Sequence, residues 1–89
     1  MNTEFRKSFV RDLRKKAKDR PLLKRIQEVV LQVEESENIY EIRNIKKLTA
    51  DGEFYRIRLG NYRIGLILED DTALFVRVLH RKEIYRFFP

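Results

Sequence analysis

Two runs of alternating residues, FYRIRL and YRIGLILE, meet at Gly60-Asn61. No other feature of this chain constrains its fold as tightly. A Gly-Asn pair between alternating runs specifies a tight two-residue hairpin, and such a turn fixes the register of the strands it joins. Leu59 must then face Tyr62, Arg58 face Arg63, Ile57 face Ile64 and Arg56 face Gly65. Because side chains alternate between the two sides of a strand, Arg56, Arg58 and Arg63 share one side. Directly opposed like charges destabilise a hairpin by a few tenths of a kcal/mol to about 1 kcal/mol. The arrangement therefore asks for an anion. A guanidinium keeps its proton and grips phosphate through two parallel N–H bonds, so a phosphodiester whose charge grows during reaction suits three of them. The plainer expectation, side chain by side chain, is salt bridging to Glu41, Glu53 or Glu83, which contributes little at a surface.

The rest of the chain sorts around this hairpin. Strands are expected over 54–59, 62–69 and 73–80, with Asp70-Asp71 as the second turn. Tyr55, Ile57, Leu59, Tyr62, Ile64, Leu66, Leu68, Phe75 and Leu79 then form an apolar face. The opposite face carries Arg56, Arg58, Arg63, Gly65, Ile67, Leu74, Val76 and Val78. In this register Arg63 lies opposite Val78 and His80 projects on the side of Arg63. Arg77 falls among the core positions, a misfit that a β-bulge or a place at the sheet rim would relieve. The apolar end of the second face needs a cover, either a protein partner or the C-terminal tail with Ile84, Phe87 and Phe88.

Upstream the period changes to that of helices. Phe5, Phe9 and Leu13, with Val10 and Ala17, mark a helix over about 6–17, preceded by a short strand over Asn2–Arg6. Asp19 and Pro21 start a second helix with the stripe Leu22, Ile26, Val29, Val30 and Val33, and Asn38 is the expected stop. Residues 39–53 read as helix or as a loop anchored by Ile39, Ile42, Ile45 and Leu48, and the tail as one more short edge segment. The expected fold is α+β: two N-terminal antiparallel helices on one face of a small, mainly antiparallel sheet, in a single domain spanning 1–89.

Composition narrows the function. The 89 residues carry a net charge of +6 with 43% hydrophobic residues, the balance of a folded basic domain whose usual partners are polyanions. With no cysteine and one histidine, no metal-ligand set and no cofactor are implied, and a reducing, cytoplasmic setting fits. No secretory signal or membrane span is evident. The basic face of the first helix could touch RNA, although a solvated helix face is the simpler reading. Cleavage of RNA by its own 2′-hydroxyl needs one proton removed and another delivered to the leaving oxygen. The titratable candidates are His80 and Tyr85, in the segment LHRKEIY that follows the last long strand.

YRIRLGNYRIG followed by RVLHRKEIY resembles the RelE/ParE toxin superfamily of bacterial toxin–antitoxin modules, across nearly the whole chain. The resemblance is closer to the RelE branch. It implies a ribosome-dependent endoribonuclease that cuts messenger RNA in the A site, and a cognate antitoxin that masks or distorts the site. By the same resemblance Arg56 and Arg58 match two basic, RNA-contacting positions before the turn. Arg63 matches the arginine that grips the scissile phosphate, and Arg81 the arginine after the last long strand. Tyr85 matches a tyrosine that orients or stacks on a base and handles a proton. His80 matches a position where some members carry a catalytic histidine. Arginine in place of lysine at 56 and 58 removes a possible general base there, shifting that role to His80, Tyr85 or the substrate. The end at Pro89 implies that the C-terminal helix of some RelE proteins is absent. The ParE branch shares the fold but inhibits DNA gyrase by protein–protein contact, and stands as the alternative.

Overall fold

The computed structural model describes residues 1–89. Its strands are β1 (Asn2–Phe5), β2 (Ile45–Lys47), β3 (Phe54–Leu59), β4 (Tyr62–Glu69) and β5 (Thr72–His80). Its helices are α1 (Lys7–Lys15), α2 (Arg20–Glu35) and α3 (Ile84–Phe87), with a 3₁₀ turn at Ile39–Glu41. The β3–β4 hairpin has the expected register, Leu59 to Tyr62, Arg58 to Arg63, Ile57 to Ile64 and Arg56 to Gly65. Gly60 takes φ 59° while Asn61 stays at negative φ, the pattern of a turn whose twist matches the strands it joins. Asp70, at φ 53°, opens the second turn, and Glu69 faces Thr72 across it.

The sheet order is β1-β5-β4-β3-β2. It is mixed rather than wholly antiparallel: β1 runs parallel to β5, Asn2 beside Thr72 through Phe5 beside Phe75. Where β1 stops, α1 takes over the open edge of β5. Arg6 N–H donates to the Phe75 carbonyl, and the Ser8 hydroxyl to the Val76 carbonyl at 2.6 Å. The Asp12 carboxylate then accepts from Val78 N–H at 3.0 Å. Backbone groups that a longer strand would have paired are thus satisfied by the Arg6 N–H and by the side chains of Ser8 and Asp12.

A bulge between Gly65 and Leu66 on the β4–β5 ladder revises the second half of β5. Leu66 faces Phe75, but Gly65 faces Arg77, so Val76 is the extra residue. The misfit of Arg77 is relieved this way, and every residue beyond shifts by one. Arg63 faces Leu79, not Val78, and Ile64 faces Val78. Val78 therefore enters the main core, and Leu79 leaves it for the opposite side of the sheet. His80 pairs with Tyr62 and sits on that residue's side, away from Arg63.

The main core joins Phe9 of α1 and Leu22, Ile26, Val29 and Val33 of α2 to Tyr55, Ile57, Ile64, Leu66, Phe75 and Val78 of the sheet. Each such side chain contributes roughly 1.5–3 kcal/mol by leaving water. Asp19 caps α2, accepting from Leu22 N–H, as the sequence indicates. The helix ends at Ser36, whose hydroxyl donates back to the Gln32 carbonyl. Asn38 instead caps the 3₁₀ turn, accepting from Tyr40 N–H while Glu41 reaches back to its backbone. Residues 39–53 hold neither a helix of ordinary length nor only a loop, since β2 pairs with β3 there, Ile45 to Ile57 and Lys46 to Arg56. The tail forms α3 rather than an edge segment, and α3 also corrects the expected absence of a C-terminal helix. Ile84 and Phe88 close over Leu79, Leu48, Phe54, Ile67 and Val76, so the tail covers the apolar end of the second face.

Candidate functional site

The face opposite the main helices carries a cross-strand row of Lys46, Arg56, Gly65 and Arg77, one residue from each of β2 to β5. Beside it runs a second row, Arg58, Arg63 and Leu79. The turn thus aims Arg56, Arg58 and Arg63 to one side, and β2 adds Lys46. Sequence reasoning missed Lys46 because a three-residue strand is too short to show alternation, leaving no register for it.

Neutral oxygens hold these cations in place. Arg56 donates through Nη1 to the Asn44 carbonyl at 2.7 Å, and Arg58 through Nη2 to Asn44 Oδ1 at 3.4 Å. Arg63 donates through Nη1 to the carbonyls of Gly60 at 2.7 Å and Tyr62 at 2.9 Å. Asn44 can present both oxygens because it takes φ 62°, the left-handed region that asparagine tolerates. No carboxylate joins the cluster. The chain's ion pairs are Lys47–Glu53 and Arg77–Asp12, so the expected bridges from these arginines to Glu41, Glu53 or Glu83 do not form. Each guanidinium has five N–H donors, and most of those at the site face no protein acceptor. Arg56 Nε is buried and makes no hydrogen bond within the chain.

Arg81 and Tyr85 act on Arg63 through their charge. Burial, followed by the guanidinium of Arg56, lowers the Arg63 pKa from its ordinary value. Tyr85 acts in the opposite direction, while Arg58 and Arg81 lower it further. A bound anion would reverse the push of the three neighbouring cations. Arg81 N–H donates to the Asn61 carbonyl at 2.7 Å, which ties the segment after β5 to the hairpin tip. Tyr85 is exposed on α3, and the buried Ile84 at the start of that helix and Phe88 just after it fix its position.

His80 does not join them. Its ring stands edge-on to Tyr62 at 5.6 Å, and its Nδ1 accepts from Lys82 N–H at 3.2 Å. The bulge at Val76 turned it to the other side of the sheet, which parity counted along an unbroken strand could not reveal. Of the six residues singled out from the sequence, Arg56, Arg58 and Arg63 share one side of the sheet, Arg81 and Tyr85 follow β5 near enough to act on Arg63, and His80 lies on the other side. Chemically the five offer a dense set of fixed N–H donors and one phenol, suited to a phosphodiester oxygen that gains charge.

Gly65 lets α3 dock on this face. A Cβ at Gly65 would lie 2.5 Å from the Phe88 ring, so any side chain there displaces the tail. Gly65→Ala is expected to cost about 1–3 kcal/mol in urea unfolding. It should also leave the 84–88 segment open to limited proteolysis while the main core stays folded. Unchanged protection of the tail would show that α3 is held by other contacts.

Comparison with known proteins agrees with this architecture. The chain is 42% identical over 90 residues to Toxin RelE3 of Methanocaldococcus jannaschii, covering all of both sequences. It is 32% identical over 85 residues to the putative toxin RelE1 of the same organism, covering 92% of this chain and 90% of that one. It is similar in structure to the toxin of a RelB–RelE antitoxin–toxin complex from Methanococcus jannaschii. The TM-score there is 0.78 at 42% identity, covering 97% of this chain and 99% of that one. The fold also matches a point mutant of YafQ from E. coli, with a TM-score of 0.71 at 11% identity over 91% of this chain and 93% of that one. Residues 3–85 match the family model described as the ParE toxin of the type II toxin–antitoxin system parDE. By that match and by its RelE relatives, the chain belongs to the RelE/ParE toxin superfamily.

Proposed function

We propose that this protein is the toxin of a toxin–antitoxin pair and acts as a ribosome-dependent endoribonuclease, cutting messenger RNA in the A site in the cytoplasm. The observation that carries the reading is the convergence of Arg56, Arg58 and Arg63 near Arg81 and Tyr85, with no carboxylate to neutralise them. Arg63 grips the scissile phosphate. Arg56, Arg58 and Arg81 stabilise the charge that builds on its oxygens. The substrate's 2′-oxygen attacks phosphorus, forming a P–O2′ bond as the P–O5′ bond breaks. One proton leaves the 2′-hydroxyl and one reaches the 5′-oxygen. Tyr85 is the phenol among the guanidiniums, and proton transfer is assigned to it and to the substrate. His80, on the far side of the sheet, is left out of the chemistry.

The solved RelB–RelE relative, 42% identical, is an antitoxin–toxin complex and supports a cognate antitoxin as the partner of this chain. The test is expression in growing cells with messenger RNA ends mapped by primer extension. New ends inside the codons of translated messages are expected. Growth arrest with intact messages would overturn the nuclease reading.

A second reading follows from the ParE description of the matching family model. It has the protein inhibit DNA gyrase by direct contact, without cutting RNA. Loss of supercoiling by purified gyrase in the protein's presence, with RNA left whole, would favour it.

A further inference from the structure

The hairpin tip is held by arginines from two sides. Arg63 donates to the Gly60 carbonyl on one face. On the other, the Arg25 guanidinium of α2 lies against the same residue, where a Cβ on Gly60 would stand 3.2 Å from both terminal nitrogens. Arg25 opens onto a cavity of about 300 Å³ between α2 and the hairpin end of β3, also lined by Arg43, Asn44, Arg58 and Gln32. Glu28 lies at the same cavity, yet no carboxylate comes within 4.0 Å of Arg25, Arg43 or Arg58. Three guanidiniums around one cavity, none of them paired with its single carboxylate, repeat the logic of the site on the sheet face. Arg58 belongs to both, since it opposes Arg63 across the hairpin and lines the cavity. Asn44 joins them too, accepting from Arg56 and Arg58 while forming part of the cavity wall.

We infer that Arg25 and Arg43, with Arg58 shared, form a second phosphate subsite that holds the backbone phosphate next to the one gripped by Arg63. An RNA strand then leaves the sheet face past the hairpin end of β3, passes Asn44 and runs toward α2. The inference rests on the nuclease reading of the Arg63 site and extends it. An RNA strand suits the cavity better than a protein segment, because guanidiniums and amides dominate the wall and its apolar members, Val29, Ile57 and Leu59, are buried or half-buried. Arg25 and Arg43 are exposed, so their removal leaves the core untouched.

The test compares the wild type with Arg25→Ala/Arg43→Ala, after circular dichroism shows equal folding. Two uncleavable 2′-O-methyl RNA probes are used. A dinucleotide with one phosphate is followed by NMR shifts of Arg63 and Tyr85, and an octamer by fluorescence anisotropy from 50 to 200 mM KCl. The variant is expected to bind the octamer about tenfold more weakly at 50 mM. Its slope of log affinity against log salt should be shallower by about 0.7, the loss of one single-strand phosphate contact. Dinucleotide binding should not change. Octamer binding equal to wild type overturns the subsite, as does a parallel loss with both probes, which would mean the two regions are one site. An unchanged octamer with lost binding of an acidic peptide overturns it in favour of a protein contact. A wild type that binds neither probe overturns the subsite as an RNA contact of the protein itself, whereas the ribosome-dependent nuclease reading falls only if primer extension finds intact messages.

Discussion

Arg63→Ala is expected to slow cleavage of messenger RNA on programmed ribosomes by about 10²–10³-fold in single-turnover assays, with folding intact. That range corresponds to removing one preorganised donor to a developing oxyanion, about 2.7–4 kcal/mol. The position supports so large a value. Arg63 is the residue on which Arg56, Arg58, Arg81 and Tyr85 all act, and its own bonds are to the carbonyls of Gly60 and Tyr62. Those bonds fix the guanidinium before any RNA arrives, so little ordering is left to be done at the moment of reaction. Arg63→Lys keeps the charge but not the planar fork, and should recover only part of the rate. The stability of the alanine variant gives a second readout. Removing one of several crowded cations relieves repulsion, including the opposed pair with Arg58, while losing two surface hydrogen bonds. Urea unfolding should therefore change by less than about 1 kcal/mol in either direction. A full cleavage rate in Arg63→Ala would dismiss Arg63 as the phosphate grip. A lost rate accompanied by a lost fold would reduce it to a structural residue.

Much of this site was legible because a two-residue turn leaves no freedom. Gly60-Asn61 fixed six residue pairs, and with them the side on which Arg56, Arg58 and Arg63 project. Pattern also found α2, because its stripe is long and Asp19 and Pro21 mark its start. Pattern failed where one residue changes parity or where an element is shorter than its own period. The extra residue Val76 inverted every assignment from Arg77 to His80. Arg77 in the apolar run signalled a fault, but its consequence for Val78, Leu79 and His80 follows only once the bulge is located. Strand β2 and helix α3 hold three and four residues, too few for a repeat to show. Asp12 was hidden for another reason. On α1 it sits between the apolar stripe and the basic face, and a carboxylate among so many lysines and arginines reads as one more surface charge.

Asp12→Ala is expected to destabilise the protein by about 3–5 kcal/mol in chemical unfolding, a large share of the roughly 5–15 kcal/mol available to a small domain. The carboxylate is 1% exposed and makes three bonds. Oδ2 accepts from Arg77 Nε at 2.8 Å, Oδ1 from Arg77 Nη2 at 3.1 Å, and Oδ2 also from Val78 N–H at 3.0 Å. Truncation strands a half-buried guanidinium and leaves the Val78 donor, on the open edge of β5, without an acceptor. Replacing one partner is worse than replacing both, because the cost lies mainly in the uncompensated charge. Asp12→Ala/Arg77→Met should accordingly be more stable than Asp12→Ala alone, and Asp12→Asn, which can still accept from Val78 N–H, should fall between wild type and Asp12→Ala. The loss should also reach the candidate site. Arg77 lies with its guanidinium carbon 5.3 Å from the centre of the Phe87 ring of α3, the helix that carries Tyr85. Freed from Asp12, Arg77 no longer holds that ring in place, so the tail should become sensitive to protease at denaturant concentrations where the main core is still folded. A cost below about 1 kcal/mol for Asp12→Ala, with the tail still protected, would mean that the bulged end of β5 is held by its strand pairing alone.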